Sequence, residues 1–212
     1  MAERPQVALV LGGARSGKSA YALRLAERTG EPVLFVATAR VDDEEMAARV
    51  AAHRSTRPPT WRTIEAPLCV GDAIRAEATG ARTILVDCLT LLASNWLMET
   101  AGNPSTGAGD GPSSPTESAD SSVCDAQMQE EIRALLDASV NAGAHLIVVS
   151  GEVGSGIVPA YPLGRVYRDL LGRANQAIAA ASDAVFLMVA GIPIDLKRYA
   201  ADESSWPLNL SG

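Results

Sequence analysis

The chain has 212 residues, 47% of them hydrophobic, and a formal net charge of −7. That length suits one α/β domain with little left for a second, and the acidic balance offers no basic footprint for nucleic acid. Its longest apolar runs are strand-length, which argues against a membrane span, and residues 1–6 are short, polar and charged, so no signal peptide is expected.

The first element is an apolar run at residues 7–11, of the kind a buried parallel strand shows. Directly after it, Gly12, Gly13, Ala14, Arg15, Ser16, Gly17, Lys18 and Ser19 fit the phosphate-loop pattern G-x-x-x-x-G-K-[ST]. Residues 18–29 then carry apolar side chains at helical spacing. Strand, glycine loop and helix are the context that gives this pattern physical meaning. The loop amides and the positive end of the helix would wrap the phosphates of a nucleoside triphosphate. Lys18 would reach the β- and γ-phosphates, and the Ser19 hydroxyl would ligate Mg²⁺. A dinucleotide fingerprint is excluded by spelling, because Ala14 stands where that motif needs its second glycine.

A second strand is expected at 33–37 and a helix at 43–55, capped by the acids at 42–45. Arg49 and His53 lie four apart on one helical face, and Pro58 ends the helix, leaving Arg54, Ser55, Thr56 and Arg57 at its frayed end. Nearby positive charge disfavours imidazolium and would keep His53 neutral and nucleophilic. The same arginines would neutralise a polyphosphate. On residues alone, His53 reads equally as a solvated helix position.

Residues 61–64 form a weaker strand candidate, followed by a helix at 68–78 and a strand at 83–86. Asp87 ends that strand, where a phosphate-loop protein places the carboxylate that holds Mg²⁺; a local turn or cap is the alternative. Helices are expected at 89–99 and 123–141. Residues 101–122 between them are rich in Gly, Pro, Ser, Thr, Asn and Asp, and cannot bury enough surface to offset their ordering entropy, so they read as a disordered insertion, with a functional lid as the alternative. A strand at 146–149, opened by His145 in a structural setting, leads into the glycine-rich loop that holds Gly151 and Glu152. That loop either lines an acceptor pocket or simply connects the sheet to the next helix, at 163–182. A strand at 184–189 and an antiparallel return at 192–196 complete the domain, taken as residues 1–197, and residues 198–212 read as a loosely ordered tail. Alternating strands and helices predict an α/β fold, a single phosphate-loop domain with a mainly parallel sheet, an antiparallel edge strand and helices on both faces. The three cysteines, Cys69, Cys88 and Cys124, have no metal or redox spacing and suit a reducing, cytoplasmic setting.

Five blocks occur in order: GGARSGKS, VATARVDDEEMAARVAAHRSTRP, TWRTIEAP, LVDCLT and SGEVGSGIVPAYPLGRVYRDLLGRANQAIAAASDAV. Together they resemble the bifunctional adenosylcobinamide kinase / adenosylcobinamide-phosphate guanylyltransferase family of cobalamin biosynthesis, over about residues 6–197 apart from the insertion. The resemblance implies two reactions. GTP or ATP phosphorylates the aminopropanol hydroxyl of adenosylcobinamide, and GTP then donates GMP to that phosphate, releasing pyrophosphate. It also implies that His53 carries GMP covalently, and that the nucleotide contacts are Gly12 to Ser19, Ala37, Thr38, Ala39, Arg54, Ser55, Thr56, Arg57, Glu65 and Asp87. It implies a homo-oligomer, a trimer. Two positions depart from the family pattern: Gly151 stands where an asparagine is common, and Ala52 where many members have a histidine beside His53. A phosphate-loop kinase of another small molecule, without nucleotidyl transfer, is the competing reading; such a kinase has no obvious need for the His53–arginine block. A nucleotide-dependent switch is a third, and the chain lacks the N-K-x-D guanine motif that such switches generally use.

Overall fold

The computed structural model describes residues 4–41, 43–100 and 119–201. Its elements are β1 (Val7–Gly12), α1 (Lys18–Thr29), β2 (Val33–Ala37), α2 (Glu44–Ser55), β3 (Arg62–Glu65), α3 (Val70–Glu77), β4 (Thr83–Asp87), α4 (Leu89–Thr100), α5 (Ala119–Ala142), β5 (His145–Val149), α6 (Pro162–Ala181), β6 (Ala184–Val189) and β7 (Ile192–Asp195). The strands form one seven-stranded sheet in the order β3-β2-β4-β5-β1-β6-β7. All neighbours pair in parallel except β6 and β7, which pair antiparallel. This is the expected α/β architecture, with the phosphate-loop strand β1 inside the sheet and β5 between it and β4.

Alternation along the strands builds two cores. Leu34, Val36, Ile84, Val86, Leu146 and Val148 face one way, against Ile74, Leu92, Met128, Leu135, Leu170 and Ala174 from α3 to α6. Val33, Phe35, Leu85, Ile147 and Val149 face the other, against Ala22 and Ala26 of α1 and the indole of Trp61. Four helices thus cover one face and α1 covers part of the other. Among the described residues, α2 contributes nothing to either core.

Most predicted boundaries hold to within a residue or two, with two informative differences. The weak strand is real but shifted: β3 pairs Leu34 with Arg62 and Ala37 with Glu65, while Trp61 is buried on the α1 face just before it. Furthermore, α5 begins at Ala119, so residues 119–122, assigned by composition to the insertion, are helical. A polar first turn costs a helix little once the following turns are packed. Residues 101–118, which hold the rest of the expected insertion, and 202–212, most of the expected tail, lie outside the described residues; Lys197–Tyr199 form a short 3₁₀ turn.

Helices α3 and α5 pack closely at Gly71. A Cβ added at Gly71 would lie 2.6 Å from backbone and side-chain carbon of Ala134. The Gly71 amide donates to Glu131 Oε1 at 3.1 Å, and Trp96 Nε1 donates to the other oxygen of that buried carboxylate at 3.3 Å. One acid therefore ties α3 and α4 to α5. The Gly71→Ala variant should be destabilised by about 1–3 kcal/mol through overpacking of this contact. Thermal unfolding should register it as a Tm lowered by roughly 2–4 °C per kcal/mol for a chain of this size.

Candidate active site

The carboxyl ends of β1, β2, β4 and β5 open on one side of the sheet, the side where α/β folds hold ligands. There lies a cavity of about 530 Å³ lined by Gly12, Ala14, Arg15, Lys18, Ser19, Ala37, Ala39, Met46, Val50, His53, Arg57, Asp87, Cys88, Thr90, Leu91, Val149, Gly151, Glu152 and Val153. Its volume falls within the range of about 300–1,000 Å³ typical of small-molecule sites.

The floor is the phosphate loop, and two glycines permit its path. Gly12 has φ +152°, and a Cβ there would sit 2.6 Å from Ser16 Oγ and 2.7 Å from the Met188 carbonyl oxygen. Gly17 has φ +93° and packs so that a Cβ would meet Gly191 Cα at 3.3 Å. Both positions require the glycine backbone. The loop is tied down from outside, since the Gly191 amide donates to the Ser16 carbonyl at 3.0 Å. Lys18 Nζ arches back to donate to the Gly13 carbonyl at 2.6 Å. Burial pulls its ammonium below the usual lysine value, with the Asp87 charge opposing. Ser16 Oγ is buried inside the loop without a hydrogen-bond partner among the described residues.

Asp87 occupies the centre. Its side chain is 11% exposed and one oxygen lies 3.7 Å from His53 Nδ1, within ion-pair range. Burial pushes the Asp87 carboxyl above its usual value, while His53, a hydrogen bond from the Ser19 hydroxyl, Arg57 and Lys18 pull it back. Groups from α1, α2 and the segment after α2 therefore converge on one acid from β4. The Ser19 hydroxyl and Asp87 carboxylate are hard oxygen donors side by side. Among the described residues, no cluster of three or more His, Cys, Asp or Glu could hold a metal. That donor set fits a cation such as Mg²⁺, which takes its remaining ligands from phosphates and water, better than a site built wholly from protein.

Asp43 caps α2 by accepting from the Met46 amide at 2.6 Å. Met46, Val50 and His53 then follow at i, i+4 and i+7, one helical stripe that faces the cavity. Helical spacing alone pointed to Met46 and Val50, which the sequence reading did not single out. Arg57 lies over the Phe35 ring, 3.5 Å from its centroid, with Nε buried and unpartnered. Burial lowers its pKa from the usual arginine value, with Asp87 and Glu65 opposing.

Not every expected contact lines this cavity. Thr38 is fully buried behind it: its hydroxyl donates to the Cys88 carbonyl at 2.7 Å and accepts from the Cys88 amide at 2.8 Å. It holds the end of β2 to the end of β4. Arg54, Ser55 and Thr56 are exposed and off the lining; the hydroxyls of Ser55 and Thr56 close the end of α2 on the Ala52 and His53 carbonyls. Glu65 is exposed beside Ala37, and Gly13, Ser16 and Gly17 form the loop without facing the cavity. Of the three arginines expected around His53, Arg57 shares its cavity, Arg54 does not, and the Arg49 side chain lies outside the described residues. The acid opposite His53 was not anticipated as its neighbour, because Asp87 is distant in sequence. Cys88, Thr90, Leu91 and Val153 also line the site without having been singled out. Burial pushes the Cys88 thiol up to about 11, so it is a neutral wall.

A sequence model of the family described as cobinamide kinase / cobinamide phosphate guanyltransferase matches residues 8–196. The chain is similar to the bifunctional adenosylcobalamin biosynthesis protein CobP of Pseudomonas aeruginosa, at 40% identity over 191 residues, 89% of this chain and 96% of the relative. It is also similar to the bifunctional adenosylcobalamin biosynthesis proteins CobU of Escherichia coli and Salmonella typhimurium, each at 38% identity over 189 residues, 89% of this chain and 98% of the relative. With the phosphate loop, the buried Asp87 and His53 in one cavity, and a match that spans nearly the whole described fold, the chain belongs to the cobinamide kinase / cobinamide phosphate guanyltransferase family.

Proposed function

We propose that this protein phosphorylates the aminopropanol hydroxyl of adenosylcobinamide with GTP or ATP and then transfers GMP from GTP to that phosphate, forming adenosylcobinamide-GDP and pyrophosphate. The observation that carries this reading is the placing of His53 and the phosphate loop on one cavity, with Asp87 between them. A kinase of another small molecule accounts for the loop but leaves that histidine without a task.

In the first reaction the loop amides and Lys18 hold the triphosphate so that the hydroxyl oxygen can attack the γ-phosphorus in line, and positioning supplies most of the catalysis. In the second, His53 attacks the α-phosphorus. A P–N bond forms, the bond from the α-phosphorus to the α–β bridging oxygen breaks, and its electron pair leaves with pyrophosphate. An oxygen of the cobinamide phosphate then displaces the imidazole, breaking the P–N bond and restoring His53. Splitting one displacement into two lowers each barrier. With Nδ1 turned toward Asp87, Nε2 is the nitrogen left for phosphorus, and the carboxylate balances the charge that develops on the ring. Ser19 and Asp87 would hold Mg²⁺, which when bound neutralises phosphate charge. Arg57, on the cavity wall, would bring its guanidinium charge to the polyphosphate.

The corrinoid ring is far larger than the cavity, so only its aminopropanol arm enters. We infer a cytoplasmic homo-oligomer, trimeric by the family resemblance. No helix among the described residues is long and apolar enough to cross a membrane. The exposed Val189, Ile192, Ile194 and Leu196 along the β6–β7 edge form apolar surface of the kind that subunit contacts cover.

Incubation with α-labelled GTP and Mg²⁺ should leave acid-labile label on the protein. His53→Ala should abolish that label and GMP transfer while still passing γ-label to adenosylcobinamide. No label on the wild type, under conditions where nucleotide binds, would defeat the transferase reading. Lys18→Ala removes charge-assisted phosphate bonds worth about 1.5–3 kcal/mol. It should weaken triphosphate binding by roughly 10- to 150-fold and depress both reactions, as titration calorimetry and the two label assays would measure.

A further inference from the structure

We propose that Glu152 is the general base of the phosphoryl-transfer step, accepting the proton of the acceptor hydroxyl as it attacks the γ-phosphorus. The assignment rests on the kinase reading above. It starts from an inventory of carboxylates: two line the cavity, Asp87 and Glu152. Asp87 is engaged by Ser19 and His53, with Arg57 and Lys18 adding their charge. Glu152 has no such cluster around it. It stands on the β5 side of the phosphate loop, while Met46, Val50 and His53 come from α2. The two reactions thus have separate side chains available around one triphosphate.

Glu152 is held as a catalytic group must be. Its amide donates to the Gly12 carbonyl at 3.0 Å, which fixes it against the first glycine of the phosphate loop. The preceding residue is clamped on both sides: the Gly151 amide donates to Thr90 Oγ1 at 2.6 Å, and Asn175 Nδ2 donates to the Gly151 carbonyl at 3.0 Å. Tyr167 in turn donates its hydroxyl to the Thr90 carbonyl at 3.1 Å. A Cβ at Gly151 would stand 3.0 Å from Thr90 Oγ1, so the clamp closes tightly on a glycine. The Glu152 carboxylate accepts the Gly154 amide at 2.8 Å through Oε1. Its Oε2 has no protein partner among the described residues, which leaves one basic oxygen on a fixed side chain.

The acceptor's approach also favours this side. The loop that Glu152 opens continues to Ile157, 96% exposed, then Val158 and Tyr161, all outside the fold's core. That exposed apolar stretch gives a bulky acceptor a surface beside Glu152 while its hydroxyl arm reaches inward. The step balances. The hydroxyl oxygen forms a bond to the γ-phosphorus, its proton passes to Glu152 Oε2, and the bond from the γ-phosphorus to the β–γ bridging oxygen breaks, with the electron pair leaving on the nucleoside diphosphate. The protonated carboxyl then loses its proton to solvent. Arg15, Lys18, His53, Arg57, Asp87 and Cys88 are the other charged or titratable groups on the cavity.

Glu152→Gln tests the assignment, since the amide oxygen can still accept from Gly154 while the basic oxygen is lost. Three assays with the full-length protein separate the roles: γ-label passed to adenosylcobinamide, α-label retained on the protein without acceptor, and GMP passed to preformed adenosylcobinamide phosphate. The kinase kcat should fall by about 10²–10⁴-fold, with KM for nucleotide and acceptor changed only a few-fold. The histidine label and GMP transfer should fall by no more than a few-fold. Glu152→Asp, which keeps a carboxylate at shorter reach, should lie between the two. A kinase kcat within about threefold of wild type, a rise confined to KM, or equal loss of all three activities in a folded Gln variant would each overturn the proposal. Wild-type protein that labels His53 but never phosphorylates the acceptor would instead overturn the kinase reading on which it stands.

Discussion

A carboxylate taken out of water must be compensated or it will neutralise, and this site is organised around one that is buried. Asp87 ends β4 at the edge of the core, with the fully buried Val86 just before it. Its compensation comes from Ser19 and Lys18 at the start of α1, His53 in the last turn of α2, and Arg57 just beyond. These groups meet only if β1, β2 and β4 take their places in one parallel sheet. Removing any one of those strands would leave a buried charge without its partners. The electrostatics of the site and the topology of the sheet are therefore a single constraint.

The second element of order is the join between β2 and β4. Thr38 brackets the Cys88 peptide with two hydrogen bonds, and Asn95 donates to both the Thr38 and Pro67 carbonyls at 2.8 Å. Strand ends are where backbone groups lose ladder partners, and here side chains replace them. The strand ends behind the cavity are thus joined by side chains as well as by the ladder. By contrast, α2 is capped at its start and, among the described residues, buries nothing in either core. His53 is thus carried on a helix that, among the described residues, packs into neither core, while the Gly191 amide holds the Ser16 carbonyl of the phosphate loop.

The phosphate loop was fully legible because its function is local. Eight contiguous residues specify backbone path, anion cradle and lysine, and the glycines that the geometry requires are those the pattern names. Strand and helix positions were legible for a related reason, since apolar periodicity reports the face that will be buried. Where reading ran short, the cause was long-range pairing. The strand at β3 is polar on much of its surface and owes its place to β2. The start of α5 has loop-like composition and owes its helicity to packing further along. Glu65 and Thr38 came to attention through family resemblance, and the fold puts the first at an exposed strand end and the second behind the cavity wall.

Sequence alone determined a phosphate loop on an α/β sheet, because that loop and the alternating apolar segments are written in neighbouring residues. It also presented His53, Asp87 and Glu152 as chemically capable groups, each with a bland alternative. Tertiary structure decided that the three share one cavity. It placed His53 within ion-pair reach of Asp87, turned Met46 and Val50 onto the same cavity, and brought the Glu152 amide against the Gly12 carbonyl. None of these contacts lies within one sequence window; each depends on strand order, which is set by the burial of whole faces rather than by local pattern.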